Sequence, residues 1–381
     1  MKKILFIHTT YRNIGGEDVA VNNEINFLKK HYDVQVIKFS NSKISLPDFY
    51  SFFTNSNLKS NRELQKKINN FNPDFAYIHN TWFKGSLGLF KVLKKNNIEI
   101  ILKIHNFRYD CTRTFLSRKH LKDKEFCNAC GLKKNNVGIF NKYFENSYIK
   151  SIFVNNYGIK YFQILKRSNF KILVLTEFHK QYLTEIGIES KRIFVFPNYV
   201  DLIEKDIETS REDLIVYAGR ISEEKGVLEL ISAFKKCSFK NTKLIIIGDG
   251  PNLSYLKNKF SSKDIEFKGE LSNSDVKQLI NKSKAVVTAT KLFEGQPTLL
   301  CEASSLGVSS IYPRSGGISE FFPEENLFSF EQFNYSELVE KLKLTKDNNI
   351  LKDSGNKNKV FIEEKLNQKN LLKEYEEILD E

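Results

Sequence analysis

The stretch Lys291–Gly307 reads KLFEGQPTLLCEASSLG. An apolar, β-branched run, Ala285 to Thr290, comes directly before it and reads as a strand. Phe293 to Pro297 is a loop, and Thr298 to Ala303 opens a helix. Pro297 suits a first helical turn, where its missing N–H is not needed. Glu294 sits in the loop and Glu302 just past the first turn. Strand, glycine loop and helix start together offer the backbone N–H groups of Thr298, Leu299 and Leu300 to an anion. An ionised carboxylate on each side accepts hydrogen bonds from hydroxyls. The pattern suits a ligand with both phosphate and sugar hydroxyls. An ordinary strand–loop–helix unit with solvated glutamates has the same local pattern.

Upstream, Ile215 to Ala218 is a strand, Gly219 to Gly226 a loop, and Val227 to Lys236 a helix. Arg220 and Lys225 flank that turn at a strand's carboxyl end. Arg offers a planar fork and Lys a point charge, a pairing that suits a diphosphate. Strand Lys243–Ile247, helix 252–260, strand 265–268 and helix 275–281 follow. Gly269-Glu270-Leu271 lies between the last two. Val308 to Pro313 is a further strand, and 335–345 and 357–380 are helical. The last helix places Leu371, Leu372, Tyr375, Ile378 and Leu379 on one side.

The first half alternates in the same way. Strands are expected at Ile4–His8, Asp33–Phe39, Phe75–His79, Ile98–Ile104, Lys171–Leu175 and Arg192–Asn198. Helices are expected at Val19–Lys30, 62–70, Gly85–Lys95 and Glu177–Ile186, with 41–61 irregular. Such alternation implies a parallel sheet covered on both faces. Gly15-Gly16 makes a phosphate-cradling turn after the first strand, though not the dinucleotide fingerprint. His105 ends a strand, where open α/β sheets bind ligands. It could meet a sugar hydroxyl or a phosphate, or simply bond its own loop backbone. Cys127 and Cys130 have a zinc-ligand spacing that Cys111 and His120 could complete; a thiol pair that merely packs fits equally. Arg108, Arg113 and Arg118 nearby could meet an anionic acceptor. Residues 201–212 are polar and read as a linker.

The 381 residues suffice for two domains. With 41% hydrophobic and 28% charged residues the chain reads as an ordinary globular protein. The formal charge of +13 favours an anionic partner such as a nucleotide or an acidic membrane surface. The lysines are spread along the chain, not clustered with aromatics, so nucleic acid is not the expected partner. The apolar run after Met1 is too short for a signal peptide, and none approaches the ~18 residues that span a bilayer. The five cysteines are not a secreted disulfide framework, so the expected setting is cytoplasmic.

The Glu294–Glu302 stretch, with Gly219-Arg220 and Glu224-Lys225-Gly226 ahead of it, resembles the signature of retaining GT-B glycosyltransferases. These belong to the large bacterial glycosyltransferase group 1 family, of the family 4 type. The resemblance covers nearly the whole chain and is strongest from Ile215 to Phe322. It implies an α/β fold with two Rossmann-like domains facing across a cleft. Residues 1–200 would bind the acceptor and 201–365 the nucleotide-sugar, with a final helix over 366–381 packing back on the first domain. It also implies that Glu294 faces the donor sugar, Glu302 holds the ribose, and Glu270 and Leu271 border the base. Many members carry a histidine at the place of His105. Some carry a cysteine insertion with a fourth Cys where this chain has Tyr143. Tyr199 replaces the usual glycine after Pro197-Asn198.

The reaction so implied moves a sugar from a UDP- or GDP-sugar to an acceptor hydroxyl with retention, in assembly of capsule, O-antigen or exopolysaccharide. The expected acceptor is a lipid-linked sugar or oligosaccharide at the inner membrane face. Arg220, Lys225, Gly15-Gly16 and the helix start would stabilise the leaving diphosphate. No Asp-x-Asp occurs in the sequence, so no catalytic metal or other cofactor is expected; Cys111, Cys127 and Cys130 could hold a structural zinc. A nucleotide-sugar 2-epimerase shares the architecture, and a basic nucleic-acid-binding protein is a remoter alternative. A dehydrogenase lacks its fingerprint here.

Overall fold

The alternating apolar runs and amphipathic helices form two six-stranded parallel sheets. The computed structural model describes residues 1–10, 16–42, 48, 51, 53–113, 121, 125–132, 143–144, 147–200 and 211–380. The chain divides into two compact units, Met1–Tyr199 with Glu374–Glu381, and Val200–Lys373.

In the first unit the strands are β1 (Lys3–Thr10), β2 (Asp33–Ser40), β3 (Phe75–Asn80), β4 (Glu99–Ile104), β5 (Lys171–Val174) and β6 (Ile193–Val195). Their order is β2-β1-β3-β4-β5-β6. The order therefore reverses between β1 and β3, as in flavodoxin-like sheets. β1 and β3 are buried along almost their whole length, as strands covered on both faces must be. The C-terminal turns of helix Gln368–Asp380 belong to this unit. There the Tyr375 ring lies 5.8 Å from Tyr32, 5.7 Å from Tyr77 and 5.4 Å from Phe196.

The second unit holds β7 (Glu212–Ala218), β8 (Lys243–Ile247), β9 (Ile265–Gly269), β10 (Ser283–Val287), β11 (Ser309–Arg314) and β12 (Ser329–Glu331). Their order, β12-β11-β10-β7-β8-β9, is that of a doubly wound Rossmann sheet. One face packs Ile215, Ile246 and Val287 under helix Val227–Lys236. The other packs Val216, Ile245 and Val286 with Leu300 and Ile362. Alternate residues of each strand thus serve opposite faces.

Several expected boundaries shift. The helix expected at 62–70 starts at Leu58, because Asn57 caps it by accepting from the N–H groups of Lys59 and Ser60. The helix expected at 357–380 is two helices, Asn348–Lys365 and Gln368–Asp380. Asn367 causes the break: its side chain accepts from the N–H groups of Lys369 and Asn370 and starts a new helix. The strand expected to begin at Arg192 begins at Ile193, since Arg192 turns aside to bond the carbonyls of Leu165 and Ser168. Helix Tyr148–Arg167 was not anticipated; Ser147 caps it. Pro297 is the residue ahead of helix Thr298–Ser305, not within its first turn. Of the linker expected at 201–212, residues 201–210 lie outside the described residues, and Glu212 already belongs to β7.

Two of the imidazoles buried in the first unit have strongly lowered pKa values. His179 accepts or donates one bond, 3.0 Å to the Tyr109 hydroxyl, and burial holds its pKa down to about 3. Burial, then the charges of His105, Lys103 and His8, holds His79 well below the usual range. Both are neutral when folded and take up a proton on unfolding below about pH 6.5. The unfolded state then binds more protons, so stability falls as pH drops below that value. By pH 5 each such histidine should have removed about 2 kcal/mol. His179→Gln should therefore lose less stability than the parent between pH 7 and pH 5. Equal falls in the urea midpoint would show that His179 is not held neutral.

Candidate active site

Strand order in the second sheet reverses between β10 and β7. Loops leaving neighbouring strands at such a reversal diverge, and ligands bind beyond the strand ends there. The loop after β7 carries Arg220 and Lys225, and the loop after β10 carries Glu294. The Lys225 ammonium meets Glu294 Oε1 at 2.5 Å, with 28% of each side chain exposed. Thr290 Oγ1 donates to the same oxygen at 2.9 Å. A cation and a hydrogen-bond acceptor thus stand side by side at the reversal point.

Backbone contact holds these loops in place. Gly226 adopts φ +68°, and a Cβ there would lie 2.0 Å from the Ala289 carbonyl oxygen. Lys291 N–H donates to the Glu224 carbonyl. Gly316 adopts φ +58°, and its Cβ would lie 2.3 Å from the Glu294 carbonyl oxygen. The Gly317 N–H donates to that same oxygen at 2.8 Å. Only glycine permits both the left-handed backbone and the approach.

Arg220 is exposed, and the structure does not bring its guanidinium into an ion pair among the described residues. Its carbonyl accepts from the Tyr217 hydroxyl at 2.8 Å, which fixes the backbone. Glu302 is buried just past the first turn of helix Thr298–Ser305, 3.4 Å from Lys277 Nζ. Burial raises its pKa, opposed by Lys277 and by a hydrogen bond from Asn273. Asn273 and Lys277 are four apart on helix Asn273–Lys282, so they share a face. Glu270 is exposed and Leu271 half-buried just ahead of that helix, and Leu271 and Leu299 pack on one apolar cluster. Leu300 is buried in it. The Thr298 N–H turns back to the Gln296 carbonyl at 3.1 Å, which leaves Leu299 and Leu300 as the better anion donors of the three. Thr290, Asn273 and Lys277 escaped the sequence reading. Thr290 lay inside an expected strand, and nothing local marks which polar helix faces Glu302.

In the first unit a pocket lies at the ends of β3 and β4, lined by His79, Thr81, Trp82, His105, Asn106 and Tyr157 among others. His105 Nε2 lies 2.7 Å from His79 Nδ1. It does not bond its own loop backbone among the described contacts. Gly16 begins helix Gly16–Leu28 and is exposed; Gly15 lies outside the described residues. Among the described residues no group of three or more Cys, His, Asp or Glu is placed to hold a metal. Cys111, Cys127 and Cys130 lie together as thiols: Cys130 hydrogen-bonds Cys111 and Cys127, and its bond to Cys111 pushes its pKa up. His120, the residue offered as a further ligand, lies outside the described residues.

Residues 201–377 match the family of glycosyl transferases group 1. Over 149 residues the chain is 26% identical to the amylovoran biosynthesis glycosyltransferase AmsD of Erwinia amylovora, covering 37% of this chain and 42% of that protein. Over 175 residues it is 26% identical to the lipopolysaccharide 1,2-N-acetylglucosaminetransferase of Salmonella typhimurium, covering 40% and 46%. The chain thus spans under half the length of these curated relatives. The crystal structure of Anabaena Alr3699/HepE in complex with UDP and glucose aligns over 100% of both chains, with a TM-score of 0.70 at 14% identity. At that identity the likeness is one of fold, two Rossmann-like α/β halves of the GT-B class.

The Glu302–Lys277 contact makes a separable prediction. Lys277→Met strips a buried carboxyl of its cation and should cost roughly 1–3 kcal/mol near pH 7. A carboxyl whose folded pKa is raised weakens the fold as pH rises above its unfolded value of about 4.3. The loss should therefore vanish near pH 4, and Glu302→Gln in the same chain should restore stability at pH 7. A loss of equal size at both pH values, by urea unfolding, would refute the pairing.

Proposed function

We propose that the chain is a retaining group 1 glycosyltransferase of cell-surface polysaccharide assembly. It would transfer a sugar from a nucleotide-diphosphate sugar to an acceptor hydroxyl. The Lys225–Glu294 pair at the reversal point of the second sheet carries this reading. A diphosphate needs a cation and the adjoining sugar needs a hydroxyl acceptor, and the two groups already touch. Each holds the other's charge before the donor arrives, so the site is organised in advance at little cost.

In the proposed reaction the bond between the anomeric carbon and the diphosphate oxygen breaks, and its electron pair leaves with the diphosphate. Lys225 and Arg220 stabilise that growing charge, with the N–H groups of Leu299 and Leu300. Glu294 accepts from a donor-sugar hydroxyl, and Glu302 from the ribose. Leu271, with Glu270, borders the base. The acceptor oxygen attacks from the same face, and its proton passes to the leaving diphosphate. Retention, the family 4 type and these residue roles rest on the motif resemblance. HepE was solved with UDP and glucose, which favours a UDP-sugar over a GDP-sugar as the first donor to test. The AmsD and Salmonella relatives are named for cell-surface polymers, which supports a lipid-linked or oligosaccharide acceptor. Residues 1–200 would bind that acceptor and 201–365 the donor. No helix among the described residues is long and apolar enough to cross a membrane. The net charge of +13 supports peripheral attachment to anionic lipid on the cytoplasmic side.

Initial rates with a panel of nucleotide-sugars test the proposal. Arg220→Ala and Lys225→Ala should lower kcat on the order of 10²-fold, the effect of removing one preorganised donor. Glu302→Ala should raise the donor KM instead, because the ribose changes little during reaction. Glu294→Ala should change both constants. Near-normal kinetics in all four variants would sink the reading, and product formed from donor alone would favour an epimerase. With no Asp-x-Asp in the sequence, transfer should persist in excess EDTA; loss that magnesium or manganese restores would overturn the metal-independent form.

A further inference from the structure

The first unit buries an ion pair completely. Glu24, on helix Gly16–Leu28, and Lys103, on β4, are both 0% exposed, with Nζ 2.9 Å from Oε2 and 3.0 Å from Oε1. Tyr77 donates its hydroxyl to Oε1 at 2.6 Å. The ammonium also reaches the Pro197 carbonyl at 3.3 Å and lies 4.6 Å from the Phe196 ring centroid. Oε2 faces His79 Nε2 at 3.9 Å. That is beyond a hydrogen bond, and His79 Nε2 is buried with no other partner. On its other side His79 Nδ1 meets His105 Nε2 at 2.7 Å. His105 is partly exposed and lines the pocket. The chain of contacts runs Lys103, Glu24, His79, His105, pocket.

Two tautomer arrangements satisfy the contact between the histidines. In one, His79 carries its proton on Nε2, facing the Glu24 carboxylate, and its bare Nδ1 accepts from His105 Nε2–H. In the other, His79 donates from Nδ1 and turns a bare Nε2 lone pair toward a carboxylate oxygen. The first sets a positive N–H edge against a negative charge; the second sets two negative regions together. Inside a protein that difference is not screened by water. The remaining groups around His79 do not reverse it. Phe6 stacks on the ring at 4.5 Å, and His8 stands edge-on at 6.4 Å with its Nε2 engaged by Asp18. Tyr77 directs its hydroxyl at Glu24. Burial and the neighbouring charges hold His79 neutral, so it keeps a single ring proton to place.

We infer that the sealed Glu24–Lys103 pair, acting through His79, fixes His105 with its proton on Nε2 and a bare Nδ1 for the pocket. His79, Glu24 and Lys103 are positioning residues in this scheme. A bare ring nitrogen accepts hydrogen bonds and cannot donate. His105 therefore takes a ligand hydroxyl and rejects a phosphate oxygen, which is itself an acceptor. Of the two ligands that a strand-end histidine could meet, the geometry selects the sugar. This rests on the proposed transfer reaction only for the identity of the sugar; the ring tautomers hold without any substrate.

The test is nitrogen-15 NMR of the full chain labelled at its six histidines, near pH 7.5. His79→Gln and His105→Gln spectra assign the signals by loss. Bare and protonated ring nitrogens resonate far apart, so the expected result is unambiguous: His105 Nδ1 bare, His79 Nε2 protonated. Adding inorganic phosphate should leave His105 Nδ1 bare. A second variant, Glu24→Gln with Lys103→Met, removes both buried charges together and should shift His105 toward a mixture of tautomers. A protonated or averaged His105 Nδ1 in the parent protein overturns the inference, as does an unchanged tautomer in the double variant. If the double variant does not fold, the parent spectrum still decides. None of these outcomes depends on whether sugar transfer is observed.

Discussion

The reversal of strand order between β7 and β10 is the constraint on which the second unit depends. Parallel strands wound outward in both directions send their following helices to opposite faces. The loops that leave β7 and β10 must therefore part, and the space between them is the one place where two loop ends can serve one ligand. Loops parting freely would leave Lys225 and Glu294 apart. They meet because backbone is pressed against backbone on either side. Gly226 rests on the Ala289 carbonyl, and Gly316 on the Glu294 carbonyl, both with left-handed φ. A methyl group at either place would collide at 2.0 or 2.3 Å. The ion pair is thus a consequence of glycine positions as much as of its own charges.

The first unit handles charge differently. Burying a carboxylate and an ammonium removes both from water, and their attraction repays that only with good geometry and further hydrogen bonds. Glu24 and Lys103 meet the condition through Tyr77 and the Pro197 carbonyl. Even so, apolar residues of similar size often serve stability as well or better. Stability alone is then a weak reason for the pair. Its position beside His79, whose Nε2 faces Glu24 and has no other partner, gives it an effect that apolar residues could not reproduce.

The fold was legible where periodicity and punctuation agreed. Val227–Lys236 and Lys243–Ile247 have the bounds expected of them because glycine or polar turns close each end. Helix Tyr148–Arg167 was not legible: its buried face includes Ser151 and Gly158 beside Val154 and Leu165, so the apolar stripe is broken. Gly158 lies there because Thr112 leaves no room for a side chain. Asn367 restarts a helix within a run that reads as continuous. In the site, Lys225, Glu294 and Glu302 were legible because they lie in two strand–loop–helix motifs of the second half. Lys277 was not, because it stands on a polar helix whose facing depends on tertiary packing. Glu24 was hidden for the opposite reason, since glutamates are rarely fully buried.

The two ion pairs differ in a way that matches what each is asked to do. Lys225 and Glu294 each keep 28% of their side chains exposed. Water can replace either partner, so the pair can open toward a ligand without stranding a charge. Pairs of this exposure contribute little to stability, and little is lost when a ligand divides them. Glu24 and Lys103 have no exposure. Opening that pair would leave a charge uncompensated in the interior, at a cost of several kcal/mol, so it stays closed while ligands come and go. A pair that opens can bind; a pair that stays closed can only orient what stands next to it. The exposure of each pair therefore says which part it plays before any substrate is named.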